Sequence, residues 1–198
     1  MLNYNDTLII FGRSTFINEI ADYIPDLCKK YHTMGCNYFV NSFPQVEYVI
    51  FYDDLVPEVQ PQHRIITNIK YSKDTNAKSY NLLNTHGNCE LYNVNKDFKF
   101  STKPDTLHMC IHTPSIGMNW AYLKGFKNIV LAGIDLNSNN QHFDYKTTPD
   151  QNGHTLCNKA LPTARRHLKE VAIKVLNVYQ LNPNSDLDLP KIKLADLL

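Results

Sequence analysis

The chain has 198 residues, 43% of them hydrophobic, and sets 20 Lys and Arg against 19 Asp and Glu for a formal charge of +1. That length suits one compact α/β domain with a real core and argues against a second full domain. The near-zero charge argues against a strong sequence-independent attraction to polyanions, so any nucleic-acid contact has to rest on a local patch.

Five cysteines, Cys28, Cys36, Cys89, Cys110 and Cys157, form an odd set without a CxxC pair, as expected of reduced thiols in a cytoplasmic protein. Met1 to Asp6 lacks the basic and apolar regions of an export signal, and no apolar run approaches the ~20 residues of a membrane span.

Thr7 to Phe11 is wholly apolar and ends at Gly12, which predicts a strand buried on both faces, as in a parallel sheet. Behind Gly12-Arg13-Ser14-Thr15, apolar residues at 16, 17, 20 and 21 repeat at helical spacing. Gly35 to Val40 and Val46 to Tyr52 read as the next strands, ending at Asn41-Ser42 and Asp53-Asp54, with His63 to Ile69 a fourth. Residues 70–106 are polar and irregular in period, with Cys89 to Val94 a further strand candidate, and 55–105 is expected to be a variable insertion or lid.

Order returns at the strand Thr106 to Ile111. Thr113-Pro114 then starts a helix that should run to Lys124 and stop at Gly125. Asn128 to Ala132 is another buried strand, closing in Gly133-Ile134-Asp135, and the long polar loop 136–160 follows. A helix from Pro162 keeps one apolar face, and Val175 to Leu181 is the last strand. The alternation predicts a single Rossmann-like three-layer domain over 1–198, with a mostly parallel sheet that binds ligands at the carboxyl ends of its strands.

Polar residues collect at those ends. Gly12, Arg13 and Ser14 suit a phosphate held at a helix start, or equally a plain βα turn. Asp53 suits ribose hydroxyls, or a solvated turn. Trp120 reads as core. Arg165, Arg166, His167 and Lys169 read as a solvated helix face, or as a guide for a polyanionic acceptor such as a modified base in phage DNA. His108, Cys110 and His112 alternate, so on a strand they would share one face as metal ligands; capped histidines on a buried strand are the plainer account.

In order along the chain, the β-turn-α opening, Cys36-Asn37, Phe51-Tyr52-Asp53, Thr113, Gly125-Phe126-Lys127, Gly133-Ile134-Asp135, Phe143-Asp144, Gly153-His154-Thr155 and Pro183-Asn184-Ser185 resemble the bacterial lipooligosaccharide sialyltransferases of glycosyltransferase family 42. Residues 55–105 have little counterpart.

The resemblance implies an inverting glycosyltransferase without a metal or other cofactor, its nucleotide-sugar donor being CMP- or UDP-linked and its acceptor a glycan or other hydroxyl. It assigns His154 as the general base, a role that suits an imidazole at neutral pH; without it, a mobile loop histidine is the plainer reading. Donor contacts would fall to Gly12, Arg13, Ser14, Asn37, Asp53, Thr113, Gly133 and Asp135.

The family's two tyrosines after Gly-Ile-Asp and its arginine ahead of the Thr/Ser turn are absent here, so CMP-sialic acid is not implied. His112, His142 and Asp144 are the candidates for leaving-group or acceptor contacts. Two alternatives stay open: a metal- and ATP-dependent diphosphokinase-like transferase, and a non-catalytic nucleotide- or sugar-binding module.

Overall fold

A computed structural model describes residues 2–110, 112–136 and 161–198. Its sheet has eight strands: β1 Thr7–Phe11, β2 His32–Cys36, β3 Tyr48–Ile50, β4 Arg64–Asn68, β5 Cys89–Lys96, β6 Thr106–Met109, β7 Asn128–Ala132 and β8 Asn177–Gln180. Their order is β6-β5-β4-β3-β2-β1-β7-β8, and every pairing is parallel. The helices are α1 Ile17–Ile20, α2 Ile24–Lys30, α3 Phe39–Ser42, α4 Lys70–Lys73, α5 Tyr80–Thr85, α6 Thr113–Leu123, α7 Leu161–His167 and α8 Ile173–Val175, with a π-helical turn Leu168–Ala172 between the last two. This is an α/β Rossmann-like layout.

The two faces of β1 account for its unbroken apolar run. Leu8 and Ile10 face a core shared with Ile116, Met118 and Trp120 of α6 and with Leu161 and Ala164 of α7. Ile9 and Phe11 face the opposite core, with Ile17, Ile24 and Leu27 of the early helices and Phe39 of α3. With helices on both faces of β1, successive residues from Leu8 to Phe11 are all buried and apolar, so the alternation of a half-exposed strand is missing there.

From β1 the chain winds outward to β6, and α6 then returns it to β7 on the other side of β1. Gly117 makes that crossing possible: a Cβ there would stand 2.8 Å from Met34 Sδ, with Ile10 Cδ1 at 3.5 Å. The helix ends in a Schellman motif, where Phe126 N–H donates to Ala121 O (3.0 Å), Gly125 N–H to Tyr122 O (3.2 Å), and Gly125 takes φ +84°. The sheet order reverses between β1 and β7, which puts the ligand-binding crevice of this layout at their carboxyl ends.

Two elements differ from the sequence reading. The strand expected over 35–40 ends at Cys36, because Asn37 adopts φ +56° and turns the chain into α3; asparagine tolerates that region better than other side chains. The helix expected over 16–21 is only α1, separated from α2 by a 3-10 turn over Ala21–Tyr23. Pro25 explains the break, having no N–H for the carbonyl four residues back.

Residues 55–105 contribute β4 and β5 to the sheet, at the two strand candidates His63 to Ile69 and Cys89 to Val94. Glu90 of β5 ties this region down, accepting from Tyr92 Oη (2.7 Å), Trp120 Nε1 (3.1 Å) and Arg64 (3.0 Å) and pairing with Lys124 Nζ at 2.8 Å. Burial pushes its carboxyl pKa up, but the hydrogen bonds from Lys124, Tyr92 and Trp120 outweigh that and hold it below the usual value.

Two glycines set the spacing of β1 and β7 at the crevice. A Cβ on Gly12 would lie 2.3 Å from Gly133 O and 2.5 Å from Ile134 Cγ1; Gly133 has φ +68°, and a Cβ on it would meet Ile17 Cγ1 at 2.7 Å. Gly12→Ala and Gly133→Ala should each lower stability by roughly 2 kcal/mol or more, through overpacking against backbone and neighbouring side chains. Gly125→Ala, with open space around it, should cost only about 1 kcal/mol, from φ alone. Urea midpoints of the three variants check that order.

Candidate functional site

Register brings the strand ends to one level: Phe11 pairs with Gly35 of β2 and with Ala132 of β7, and Cys36 pairs with Ile50 of β3. The residues that follow form a common rim. At its centre the turns after β1 and β7 interlock, with Gly12 N–H donating to Ala132 O (2.8 Å) and Ser14 N–H to Gly133 O (3.0 Å). Ser14 Oγ donates to Asp135 Oδ2 at 2.6 Å, a short charge-assisted bond between residues 121 apart in sequence.

Asp135 is 4% exposed. Its other oxygen faces Gln180 Nε2 at 3.5 Å, while that amide also donates to Ile134 O (3.0 Å) and reaches Ser185 Oγ (3.1 Å). The network therefore joins the ends of β1, β7 and β8.

Arg13 is buried, with its guanidinium 5.6 Å over the Tyr38 ring. It lies close enough to Cys36 to oppose the burial that pushes this thiol up to about 12. Asn37 N–H donates to Ile50 O (2.8 Å), and Thr113 Oγ1 reaches Asn37 Oδ1 at 3.4 Å, so the start of α6 meets the end of β2. Asp53 is exposed, further along the rim, within electrostatic reach of Lys70 and Tyr71. Gly12, Arg13, Ser14, Asn37, Thr113, Gly133 and Asp135 thus share the central rim, and Asp53 stands at its edge. His142, Asp144 and His154 lie outside the described residues.

Two backbone donors of the Gly12 turn are committed to the turn after β7, and α1 starts only at Ile17. At the start of α6 a further amide is taken. Ser115 N–H donates to His112 Nδ1 (3.1 Å) and to His112 O (3.0 Å), and Pro114 has no N–H to offer. Ser115 Oγ donates to His112 O (2.7 Å) and accepts from Cys110 N–H (2.9 Å). These particular amides are therefore taken by the chain itself.

His108, Cys110 and His112 do not share a strand face. The strand ends at Met109, His108 Nδ1 bonds Lys99 O (2.9 Å), and His112 caps α6. Among the described residues no group of three or more His, Cys, Asp or Glu is arranged to hold a metal ion, and no helix is long and apolar enough to cross a membrane. A groove of about 410 Å³, lined by Tyr122, Phe126, Ile173 and Val175, lies at the amino end of β8, away from this rim.

No protein-family model matches the chain, and no curated protein matches it. Among solved structures it is similar to the sialyltransferase CstII from Campylobacter jejuni, determined in complex with a substrate analogue, cytidine-5'-monophosphate. The TM-score is 0.48 and the identity 19%, over 96% of this chain and 86% of that chain.

Gln180 and Ser185 escaped the sequence reading as parts of this network, since a strand glutamine carries no local signal of what it meets. His167 did so more completely. Expected on a solvated face, it is 1% exposed and packs its ring against Phe98 (5.6 Å) and Phe100 (5.4 Å). His112 is 6% exposed, and among the described residues neither His112 Nε2 nor His167 Nδ1 has a hydrogen-bond partner. Burial, with His167 nearby, pushes His112 down to about 3, and burial pushes His167 down to about 4.

Asp135→Ala should cost about 1–3 kcal/mol by leaving Ser14 Oγ and the Gln180 amide short of an acceptor. Chemical denaturation checks it, with Asp53→Ala, at an exposed position, expected to cost under about 0.5 kcal/mol. A pH series tests the histidines. Both are neutral in the folded chain between pH 6.5 and about 4, whereas the unfolded chain takes up their protons below its pKa of about 6.5. Stability is therefore full above pH 6.5 and falls as the pH drops toward 4, by up to about 1.4 kcal/mol per pH unit per histidine. In His167→Phe one of the two contributions to that slope should vanish.

Proposed function

We propose that the protein is an inverting glycosyltransferase that takes a sugar from a CMP- or UDP-linked donor and transfers it to an acceptor hydroxyl. The observation that carries this reading is the rim at the β1/β7 reversal, where turns remote in sequence present Arg13, Ser14, Asn37, Thr113 and Asp135 together. It is supported by the ordered resemblance of the chain's motifs to family 42. Asn37, with Asp53 further out, offers polar atoms for a ribose, and Arg13 supplies positive charge toward the phosphate. Asp135 acts at one remove, orienting Ser14 and the Gly133 turn.

In this mechanism the acceptor oxygen attacks the anomeric carbon as the bond to the nucleotide's phosphate oxygen breaks, with inversion. His154, assigned as general base by the resemblance, takes the acceptor proton, and the bonding electrons leave with the nucleotide. His112, His142 and Asp144 are the proposed contacts to the leaving group or acceptor. Glycans and other hydroxyl compounds are the acceptor class, and a modified base in phage DNA falls within it. The site of action is proposed to be the cytoplasm.

Thermal shift with CMP, UDP, GDP, ADP and ATP, each with and without Mg²⁺, tests the reading. CMP or UDP alone at a hundred times its Kd should raise Tm by about 5–10 °C. A requirement for ATP with Mg²⁺ would instead identify the diphosphokinase-like transferase. Once a donor and acceptor pair is found, His154→Ala should lower kcat for transfer by about 10²–10⁴-fold. Unchanged transfer would remove His154 from the base role.

A further inference from the structure

Arg165, Arg166 and Lys169 share the stretch of helix that runs from α7 into its π-helical turn, and they meet different partners. Arg166 lies 4.5 Å over the Phe98 ring and 3.9 Å from Glu170, and Lys169 stands 3.7 Å from Asp188. Among the described residues Arg165 pairs with no carboxylate; its Nε–H donates to Leu136 O at 2.9 Å. Leu136 follows Asp135 directly, so this bond brings an exposed arginine to the carboxyl end of β7, where the crevice lies.

We propose that Arg165 grips the phosphate of the nucleotide-sugar donor through its two Nη groups, as a substrate-contacting residue of the crevice. This rests on the sugar-transfer reading and deepens it by naming the side chain that takes the leaving phosphate.

The donors of a guanidinium lie in one plane. With Nε–H held by Leu136 O that plane is anchored, and Nη1 and Nη2 are left in the fork geometry that matches two oxygens of a phosphate. Part of the cost of ordering a long side chain on binding is thereby met in the free protein. The anchor point is itself held: Leu136 is 5% exposed and takes φ +49°, a left-handed backbone that is uncommon outside glycine and persists only where the surroundings fix it.

Asp135 is the acid adjoining this turn. It is buried, its oxygens are engaged by Ser14 Oγ (2.6 Å) and Gln180 Nε2 (3.5 Å), and no ion pair with it cancels the charge of Arg165. A cation without a carboxylate partner, at the ligand-binding end of the sheet, suits a phosphate. Its charge gains most as the bond to the sugar breaks and negative charge grows on the departing oxygen.

Titration calorimetry at pH 7 with CMP and UDP, and NMR titration with cytidine and uridine at millimolar concentration, test the proposal on the wild type, Arg165→Met and Arg165→Lys. For whichever nucleotide the wild type binds, Arg165→Met should weaken affinity about 10–100-fold, the loss of charge-assisted hydrogen bonds, and leave the affinity for the matching nucleoside unchanged. Arg165→Lys keeps the charge without the fork and should fall between the two. Equal loss of nucleotide and nucleoside would overturn the proposal in favour of a brace for the Gly133 to Leu136 turn. Unchanged affinity for both would overturn it in favour of a solvated side chain.

Inorganic phosphate serves as a separate arm. In ¹H–¹⁵N spectra of the arginine side chains Arg165 should shift on its addition, while Arg166, already beside Glu170, should not. Failure of the wild type to bind any nucleotide would defeat the sugar-transfer reading. In that event an Arg165 shift with phosphate alone would leave the phosphate contact standing, and no shift would overturn that as well.

Discussion

The close approach of the turns after β1 and β7 is the constraint on which the rest of the site depends. A methyl group on Gly12 would overlap the carbonyl of Gly133, and Gly133 itself needs a positive φ that other residues take only with strain. With both glycines present the turns lie backbone against backbone, two amides of one donate to carbonyls of the other, and Ser14 reaches Asp135. In a parallel sheet whose order reverses at this point, the same contact opens the crevice and sets its width.

The second constraint is α6. It has to lie flat on β1 and β2 to carry the chain from one edge of the sheet to the far side of β1, and a helix with a large residue at position 117 would be lifted off Met34. Because it lies flat, its start arrives beside Asn37 and its N-cap histidine is pressed into the core. The cap takes the Ser115 amide for the chain's own groups. That amide is thereby withdrawn from the set that, at an anion-binding helix start, is left free to hold a phosphate.

Burial on both sides of the sheet made much of the fold legible. β1 and β7 are unbroken apolar runs because neither face is wet, and α6 is bounded by Pro114 and Gly125 for reasons that lie within those few residues. Asn37 misled the reading in the opposite way: the apolar residues Tyr38 to Val40 continue the strand pattern, while Asn37 takes a left-handed backbone and turns the chain into α3. β5 alternates polar residues with apolar ones, and its place is held by Glu90, whose partners come from β4, β5 and α6. His167 looked solvated among Arg165, Arg166 and Lys169, since helix composition shows which residues are charged and not which face the Phe98 segment covers.

By itself the sequence determined the α/β class, the apolar strands, the glycine turns and the identity of the polar residues at the strand ends, because these follow from period, propensity and chain direction over a few residues. Tertiary structure alone decided that Ser14 meets Asp135, that Gln180 braces the turn after β7, and that His167 is buried against Phe98 and Phe100. Each of those contacts joins positions far apart along the chain, and only the strand order and the crossing of α6 bring them within bonding distance.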